Sequence, residues 1–599
     1  MIKIIKLIYN LIICIFYNEI KILQKRISYL KFFFTNVNLY KYLLFLFNKE
    51  INPIKSKYFN DYIQSNKKKW KKYSNNTVQV KNKEKILVEN FINHPSYTMP
   101  NTIIAKYLQS FYKSECIGIL RGGDIRGELM FRSFGIEKFY FYKIGNFFQR
   151  LIYIIKSIII LRNIKNTKEF CNISLNKIDL GLTSYDTYMR YTRNPTEKKI
   201  NFKLIVFFSE ALYASDYFDK IYNKSNITRL VQCEKQFVPI SILFQKALVK
   251  KNIIYTRIGA DRISVRIYND YIKGYESAST FSKKLFNEIF NNNRNKSIKL
   301  INQYIKNQIK YNFYGQAWGH YMHKKTRKLW KSHIDETSNF QSITKNNICK
   351  IFGWNKKKKI ATIFLHNLID GNFAHGKRTL FLDTCSWVYY LLDEIKKIKN
   401  INWIVKLHPD DKHYVPKVNF GVIVKNLEKK YDNIRLFPEN LNPSSLKKFT
   451  DVALTSHGSN GLEYSSFGIP CIVAERSNYS SFGFTYNAKN ISNYLSLLKK
   501  TNKIKKLNKY KAERAKVLLF MFTVLIRNEL HLIPDYLPNT AYKVRDEDIY
   551  WKQATKKLKK FNVHDNQFKK MFEKQLNLKF RHTINLDLCS LKNRQLNDY

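Results

Sequence analysis

The chain has 599 residues, 45% of them hydrophobic, which is too many for one core and suits two large domains with appendages. A formal net charge of +60 by itself points to nucleic acid or an anionic membrane. Lys, Asn and Ile dominate the whole length, however, and the basic residues are spread rather than gathered into a stripe. No zinc-finger spacing, RNA-binding aromatic pattern or heptad region accompanies them, so nucleic acid is excluded as the expected partner. Eight cysteines without a C-x-x-C pair exclude a disulfide framework and a zinc site, and they point to a reducing compartment, the cytoplasm.

Residues 1–17 are apolar but interrupted by Lys3 and Lys6. The clean run from Leu7 to Tyr17 is well short of the ~20 residues that span a bilayer, and no small-residue cleavage site follows, so neither a spanning helix nor a signal peptide is expected. Residues 1–78 alternate Ile, Leu, Phe and Tyr with Lys, including KKKWKK at 67–72. This pattern predicts a basic amphipathic helical extension that suits an anionic membrane face; its alternative is an extension packed on the core.

Residues 79–335 predict a first α/β domain. Strands are expected at 85–91, 116–120 and 135–142, with a first helix at 101–110. The very apolar run 151–161, broken by Lys156, is too short to span a membrane and predicts a buried helix. Residues 204–208, followed by Ser209 and Glu210, read as another strand end. Residues 253–258, followed by Gly259, Ala260 and Asp261, read as the last strand of this domain. Strand–helix alternation at ~30-residue spacing argues for a parallel sheet. The basic amphipathic stretch 283–309 reads as a helix bridging two domains.

A second domain is expected over 336–525, and a helical, charged tail over 526–599. Its strands are predicted at 360–365, 402–407 and 434–436, and its helices at 380–398 and 491–498. The most informative stretch is 451–473, DVALTSHGSNGLEYSSFGIPCIV. Val452 to Leu454 reads as a buried parallel strand. Ser456, His457, Gly458, Ser459 and Asn460 form a small polar turn, with glycines where a backbone must bend or approach a ligand. A helix starts near Leu462, so its N-terminal amides and dipole predict an anion site suited to phosphate. Glu463, on the first helical turn, is suited to accept from a ribose diol. A second strand ends in Lys406, His408 and Pro409: a point charge for phosphate, a donor to phosphate or a base carbonyl, and a fixed backbone. A third ends in His366 and, after it, Asp370. Open α/β sheets bind ligands at the C-terminal ends of their strands, and three such ends predict one nucleotide-binding Rossmann-like domain.

KLHP followed by SHGSNGLEYSSFGIPCIVA resembles the C-terminal domain of GT-B glycosyltransferases of bacterial surface-polysaccharide synthesis, in particular the capsule group with an HP motif that includes Kdo transferases and polysialyltransferases. Glu463 stands in the E-x-x-x-x-G-x-P pattern in which many such enzymes place a ribose-binding Glu. A second segment, 179–190 (DLGLTSYDTYMR), resembles G-D-L-I-Y-D-T-Y-L-R of related proteins, departing at 180–184. The resemblance implies two Rossmann-like domains facing a cleft, with a C-terminal helix near 546–561 returning to the first domain. It also implies a nucleotide-sugar donor, often CMP-linked, in the second domain and a polysaccharide or glycolipid acceptor in the first.

The expected chemistry is metal-independent sugar transfer without a cofactor, since no D-x-D stands at a strand end. Amides of the turn, Lys406 and His408 would stabilise the leaving nucleotide phosphate. Candidates for the base that inverting transfer requires are Asp186, Asp124 and, more remotely, His94, with His366 and Asp370 positioned to touch donor or acceptor. A CDP-polyol phosphotransferase, a sugar-nucleotide epimerase or a non-catalytic capsule-assembly protein on the same fold would share most of these features. An anionic membrane surface is a further expected partner, with the chain peripheral on the cytoplasmic face of the inner membrane.

Overall fold

A computed structural model describes residues 57–77, 83–258, 264–269, 281–310, 343–526 and 544–591, apart from short gaps at 93–94, 123, 144, 146, 374–377, 410 and 590. The expectations placed on residues 1–56, on His94 and on Gly259 to Asp261 lie outside the described residues. The chain divides into two compact units. One holds residues up to Tyr188, Lys198–Tyr271 and Glu529–Glu573; the other holds Met189–Glu197, Ile272–Asn528 and Lys574–Tyr599. Among the described residues no helix is long and apolar enough to cross a membrane.

The first unit is built on a six-stranded sheet of β1 (Lys85–Asn90), β2 (Glu115–Arg121), β3 (Lys138–Tyr142), β4 (Ile227–Gln232), β5 (Ile253–Ile258) and β6 (Ser264–Tyr268), in the order β3-β2-β1-β4-β5-β6. All neighbours are parallel except β5 and β6. Parallel strands covered on both faces need continuous apolar runs; KILVEN and ECIGILR, each buried at five positions, supply them. Strand order reverses between β1 and β4, the topological switch point of this sheet.

Residues 204–208 are not a strand. They lie in a 23-residue helix, Phe202–Lys224, capped by Asn201. The apolar run LIVFF is strand-like in a short window, but the helical face it starts continues through Ala211, Leu212, Ala214, Ser215 and Phe218, all buried. Helical spacing over several turns outweighs a five-residue run.

Two helices remote in sequence complete this unit. Lys57–Thr77 packs against Val544–Lys560, with Phe59 and Tyr62 on Trp551 at ring-centroid distances of 4.7 and 5.1 Å. Trp70, at the centre of the KKKWKK run, is 1% exposed and packs on Phe134 and Tyr107. Lys67, Lys68 and Lys71 point to solvent, and Lys69 Nζ donates to the carbonyl of Leu558. This helix therefore directs its apolar face into the first unit.

The second unit repeats the plan with β7 (Ile360–Phe364), β8 (Asn402–Lys406), β9 (Ile434–Leu436), β10 (Val452–Thr455), β11 (Cys471–Val473) and β12 (Tyr486–Asn487). All pairs are parallel, in the order β12-β11-β10-β7-β8-β9. Each residue of β7 and β10 is buried, as expected of central strands. Trp387, Trp403 and Tyr494 anchor the core, and the Trp387 indole N–H is satisfied by Tyr494 Oη at 2.9 Å. The Lys283–Lys310 helix, read from sequence as a bridge, packs against Lys509–Phe520 in this unit, through Phe290 on Tyr510 and Arg294 near Glu513. Strand order reverses between β7 and β10.

Candidate functional site at the switch point of the second sheet

Strands β7 and β10 are adjacent and in register from Ala361–Val452 to Phe364–Thr455. His366 and the turn from Ser456 to Ser459 therefore leave the sheet side by side. Their imidazoles stack, His366 on His457, with centroids 4.0 Å apart and planes 9° from parallel. Thr455 Oγ1 lies 2.9 Å from His366 Nε2 and accepts the N–H of Gly458 at 3.2 Å. The N–H of His457 donates to His366 Nε2 at 3.3 Å, so that nitrogen is an acceptor and the Thr455 hydroxyl donates a hydrogen bond to it.

Arg378 lies behind this pair, with Nη2 2.9 Å from His457 Nε2. A guanidinium has no acceptor, so His457 Nε2 accepts and its proton sits on Nδ1, 3.2 Å from Ser456 Oγ. Glu475, just beyond β11, fixes the approach to Arg378. Its buried carboxylate accepts the N–H groups of Thr379, Leu380 and Phe381 and the hydroxyl of Thr379, all at 2.9–3.0 Å. Its own N–H donates to the carbonyl of Ser456 at 2.8 Å. A carboxylate so saturated is a backbone clamp.

The turn sorts its residues by depth. Ser456 and His457 are buried, Gly458 and Asn460 half-buried, and Ser459 exposed. The following helix, Asn460–Ser466, starts two residues before the expected position and has seven residues. The N–H groups of Gly461, Leu462 and Glu463 are held by the carbonyls of Gly458 and Ser459 at 3.0–3.1 Å. Among the described residues, this leaves the amides of Ser459 and Asn460 as the donors of the turn open to a ligand.

Two glycines are required by close approach. A Cβ on Gly458 would lie 2.7 Å from His366 Cε1, and one on Gly461 would lie 2.1 Å from Tyr479 Oη. That same hydroxyl donates to the carbonyl of Gly458.

Glu463 is buried, and its Oε2 has no hydrogen-bond partner among the described residues. Burial pushes its carboxyl above the ordinary range, against a lowering hydrogen bond from Ser459. An orphaned carboxylate oxygen beside the turn is suited to a hydroxyl donor.

The other predicted residues fall around this centre. Lys406 and His408 are half-buried and Pro409 is exposed at the end of β8, one strand beyond β7. Lys406 Nζ donates to the carbonyl of Leu407 at 3.2 Å, and the His408 carbonyl accepts the N–H of Asp411 at 3.2 Å. Asp370, half-buried in the loop after β7, lies 3.5 Å from Arg190, whose guanidinium covers the Tyr414 ring at 4.2 Å.

Asp124 and Asp186 belong to the first unit. Asp124 is the N-cap of Ile125–Ser133: Oδ1 accepts the N–H of Gly127 at 2.9 Å and Oδ2 accepts from Asn90 at 3.0 Å. Asp186 is 3% exposed on the Leu180–Thr192 helix. The glycine of that motif, Gly181, lies where a Cβ would meet the Phe170 carbonyl oxygen at 1.8 Å. Sequence reading missed Arg378, Glu475 and Tyr479; only the position of Glu475 just after a strand could have marked it.

No protein-family profile matches the chain, and no curated protein matches it. Solved structures do align. The Thermosulfurimonas dismutans KpsC beta Kdo 2,4 transferase aligns at 10% identity over 49% of this chain and 79% of its own, with a TM-score of 0.28. A UDP-GlcNAc 2-epimerase from Neisseria meningitidis bound to UDP-GlcNAc aligns at 10% identity over 73% and 98%, with a TM-score of 0.22. The wall teichoic acid polymerase TagF aligns at 9% identity over 84% and 95%, with a TM-score of 0.21. Likeness at this level carries no argument about chemistry. The α/β assignment rests on the two six-stranded sheets themselves.

Proposed function

We propose that the chain is a glycosyltransferase that binds a nucleotide-sugar donor at the C-terminal edge of its second sheet and transfers the sugar to a surface polysaccharide or glycolipid acceptor held by the first unit. One observation carries this reading. The reversal of strand order falls between β7 and β10, where open α/β sheets bind ligands, and His366, the open amides of Ser459 and Asn460, and Glu463 with its orphaned oxygen all follow these two strands.

In this reading Glu463 accepts from the ribose hydroxyls. The Ser459 and Asn460 amides, with Lys406 and His408, take up the charge of the nucleotide phosphate as it leaves. The acceptor oxygen forms a bond to the anomeric carbon while the carbon–oxygen bond to phosphate breaks, and the nucleotide keeps that electron pair. The hydroxyl proton passes to a carboxylate base. The transfer needs no metal, and CMP is the favoured nucleotide by resemblance of the KLHP and SHGSNGLE segments. The chain works in the cytoplasm, peripheral to the inner membrane.

The test is release of nucleotide from CMP-, CDP-, UDP- and GDP-linked donors, in EDTA and again with an added divalent cation, with and without a lipid-linked glycan acceptor. Release from one donor, lost in Glu463→Ala, supports the proposal. No release from any donor contradicts it, and dependence on a divalent cation contradicts its metal-free form.

A further inference from the structure

The Phe147–Leu161 helix, which its composition predicts as buried, is exposed along one side. Ile152, Ile155, Ile158 and Ile159 are 46–56% exposed, and Phe148 is 72% exposed. Among the described residues of the first unit, these five are the densest group of exposed large apolar side chains. At about 100° per residue, Phe148, Ile152, Ile155 and Ile159 fall within an arc of roughly 60°. The opposite side, with Ile154, Ser157 and Leu161, is buried and faces the Phe202–Lys224 helix, where Tyr153 Oη donates to Asp216 at 2.6 Å. The rotation of the helix is thus fixed with its apolar stripe outermost, the reverse of an ordinary surface helix.

Cations border the stripe. Lys156 flanks it on the same helix, Arg162 follows the last helical residue, Lys143 precedes the helix, and Lys165 and Lys168 lie beyond its C-terminal end; all five are exposed. The nearby carboxylate of Glu169 is occupied by the Lys165 N–H and Asn166. An apolar stripe rimmed by Lys and Arg matches a surface with an apolar interior and anionic headgroups. A second copy of this chain fits poorly, because pairing two such faces would oppose their cations in a molecule already carrying +60. The N-terminal 56 residues of the chain carry nine Lys and Arg against two Glu and no Asp, so they lack the complementary charge as well.

We propose that this helix docks the protein on an anionic lipid bilayer. The isoleucine stripe enters the headgroup boundary, and Lys156 and Arg162 meet lipid phosphates. This names the contact face of the peripheral location given above and is independent of the donor site.

The test is co-sedimentation of the full chain with vesicles of phosphatidylcholine alone and with roughly 30% phosphatidylglycerol. The wild type partitions onto the anionic vesicles at least about tenfold better than onto neutral ones, and less as salt rises. Ile152→Asn/Ile155→Asn/Ile159→Asn lowers that partition about tenfold with an unchanged thermal midpoint and unchanged nucleotide response. Lys156→Glu/Arg162→Glu lowers it severalfold and flattens the salt dependence. Wild-type partition in the triple variant, equal binding to neutral vesicles, or no vesicle binding by the wild type overturns the proposal. So does a dimer in solution that the triple variant converts to monomer.

Discussion

His366 and His457 stack face to face at 4.0 Å, and the contact joins the ends of β7 and β10 across the strand-order reversal. The pair is held from both sides: Thr455 shares a proton with His366, and Arg378 donates to His457. The wall of the candidate site is therefore fixed before any ligand arrives, with the exposed lip of the turn at Ser459 in front of it.

Gly458→Ala inserts a methyl 2.7 Å from His366 Cε1 and forces the stack apart. The expected loss is about 1–3 kcal/mol of stability, together with at least tenfold weaker nucleotide binding. Gly461→Ala, directed at Tyr479 Oη, costs a similar amount. Chemical denaturation and calorimetric titration of both variants read these effects.

Glu475→Ala removes an acceptor shared by four donors and leaves buried N–H groups unpaired. A loss of about 3 kcal/mol or more is expected, and the 378–381 segment should exchange its amide hydrogens faster. Wild-type exchange in that segment would argue that the clamp is not needed.

Glu89 predicts a pH dependence. It lies at the switch point of the first sheet, accepting from the N–H of Phe91 and, at 3.4 Å, from that of Cys233. Burial pushes its carboxyl up to about 7, against the lowering effect of those hydrogen bonds. Its folded value exceeds its unfolded one, so the folded state binds the extra proton. The contribution is fully present below about pH 4.5 and is lost as pH rises to about 7. Unfolding free energy should fall by the order of 2 kcal/mol across that window, and Glu89→Gln should flatten the profile there.

Trp551→Ala removes the ring on which Phe59 and Tyr62 pack. A loss of about 3–5 kcal/mol is expected. Proteolysis should then open the Lys57–Thr77 helix first; protection equal to wild type would show that this contact contributes little.

Much of the second sheet is legible in the sequence because central parallel strands are short, wholly apolar and bounded by turn residues. β9 falls at 434–436 as expected, and β7 and β8 end within a residue of expectation. β12, at two residues, carries no pattern to read. The Phe202–Lys224 helix was obscured by its apolar start, and β4 and the antiparallel β6 went unnoticed among neighbouring apolar runs. In the site, the turn and Glu463 announce themselves through glycine spacing and helix position. Arg378 and Glu475 do not, because their roles arise from contacts between segments about eighty to one hundred residues apart that only folding brings together. The outward stripe at Ile152, Ile155 and Ile159 is invisible for a related reason: periodicity reveals an apolar face but not whether protein covers it.

The central claim is a nucleotide site at the β7–β10 switch point. A thermal-shift titration with CMP, CDP, UDP and GDP, on the wild type, Glu463→Ala and His408→Ala, tests it most directly. Ligand at one hundred times its Kd stabilises the folded state by about 2.7 kcal/mol, enough for a clear rise in midpoint. The account predicts a rise with CMP that is lost in Glu463→Ala and reduced in His408→Ala. A rise with another of these nucleotides, with the same losses, keeps the site and changes the donor. No response to any nucleotide, or an equal response in both variants, contradicts it.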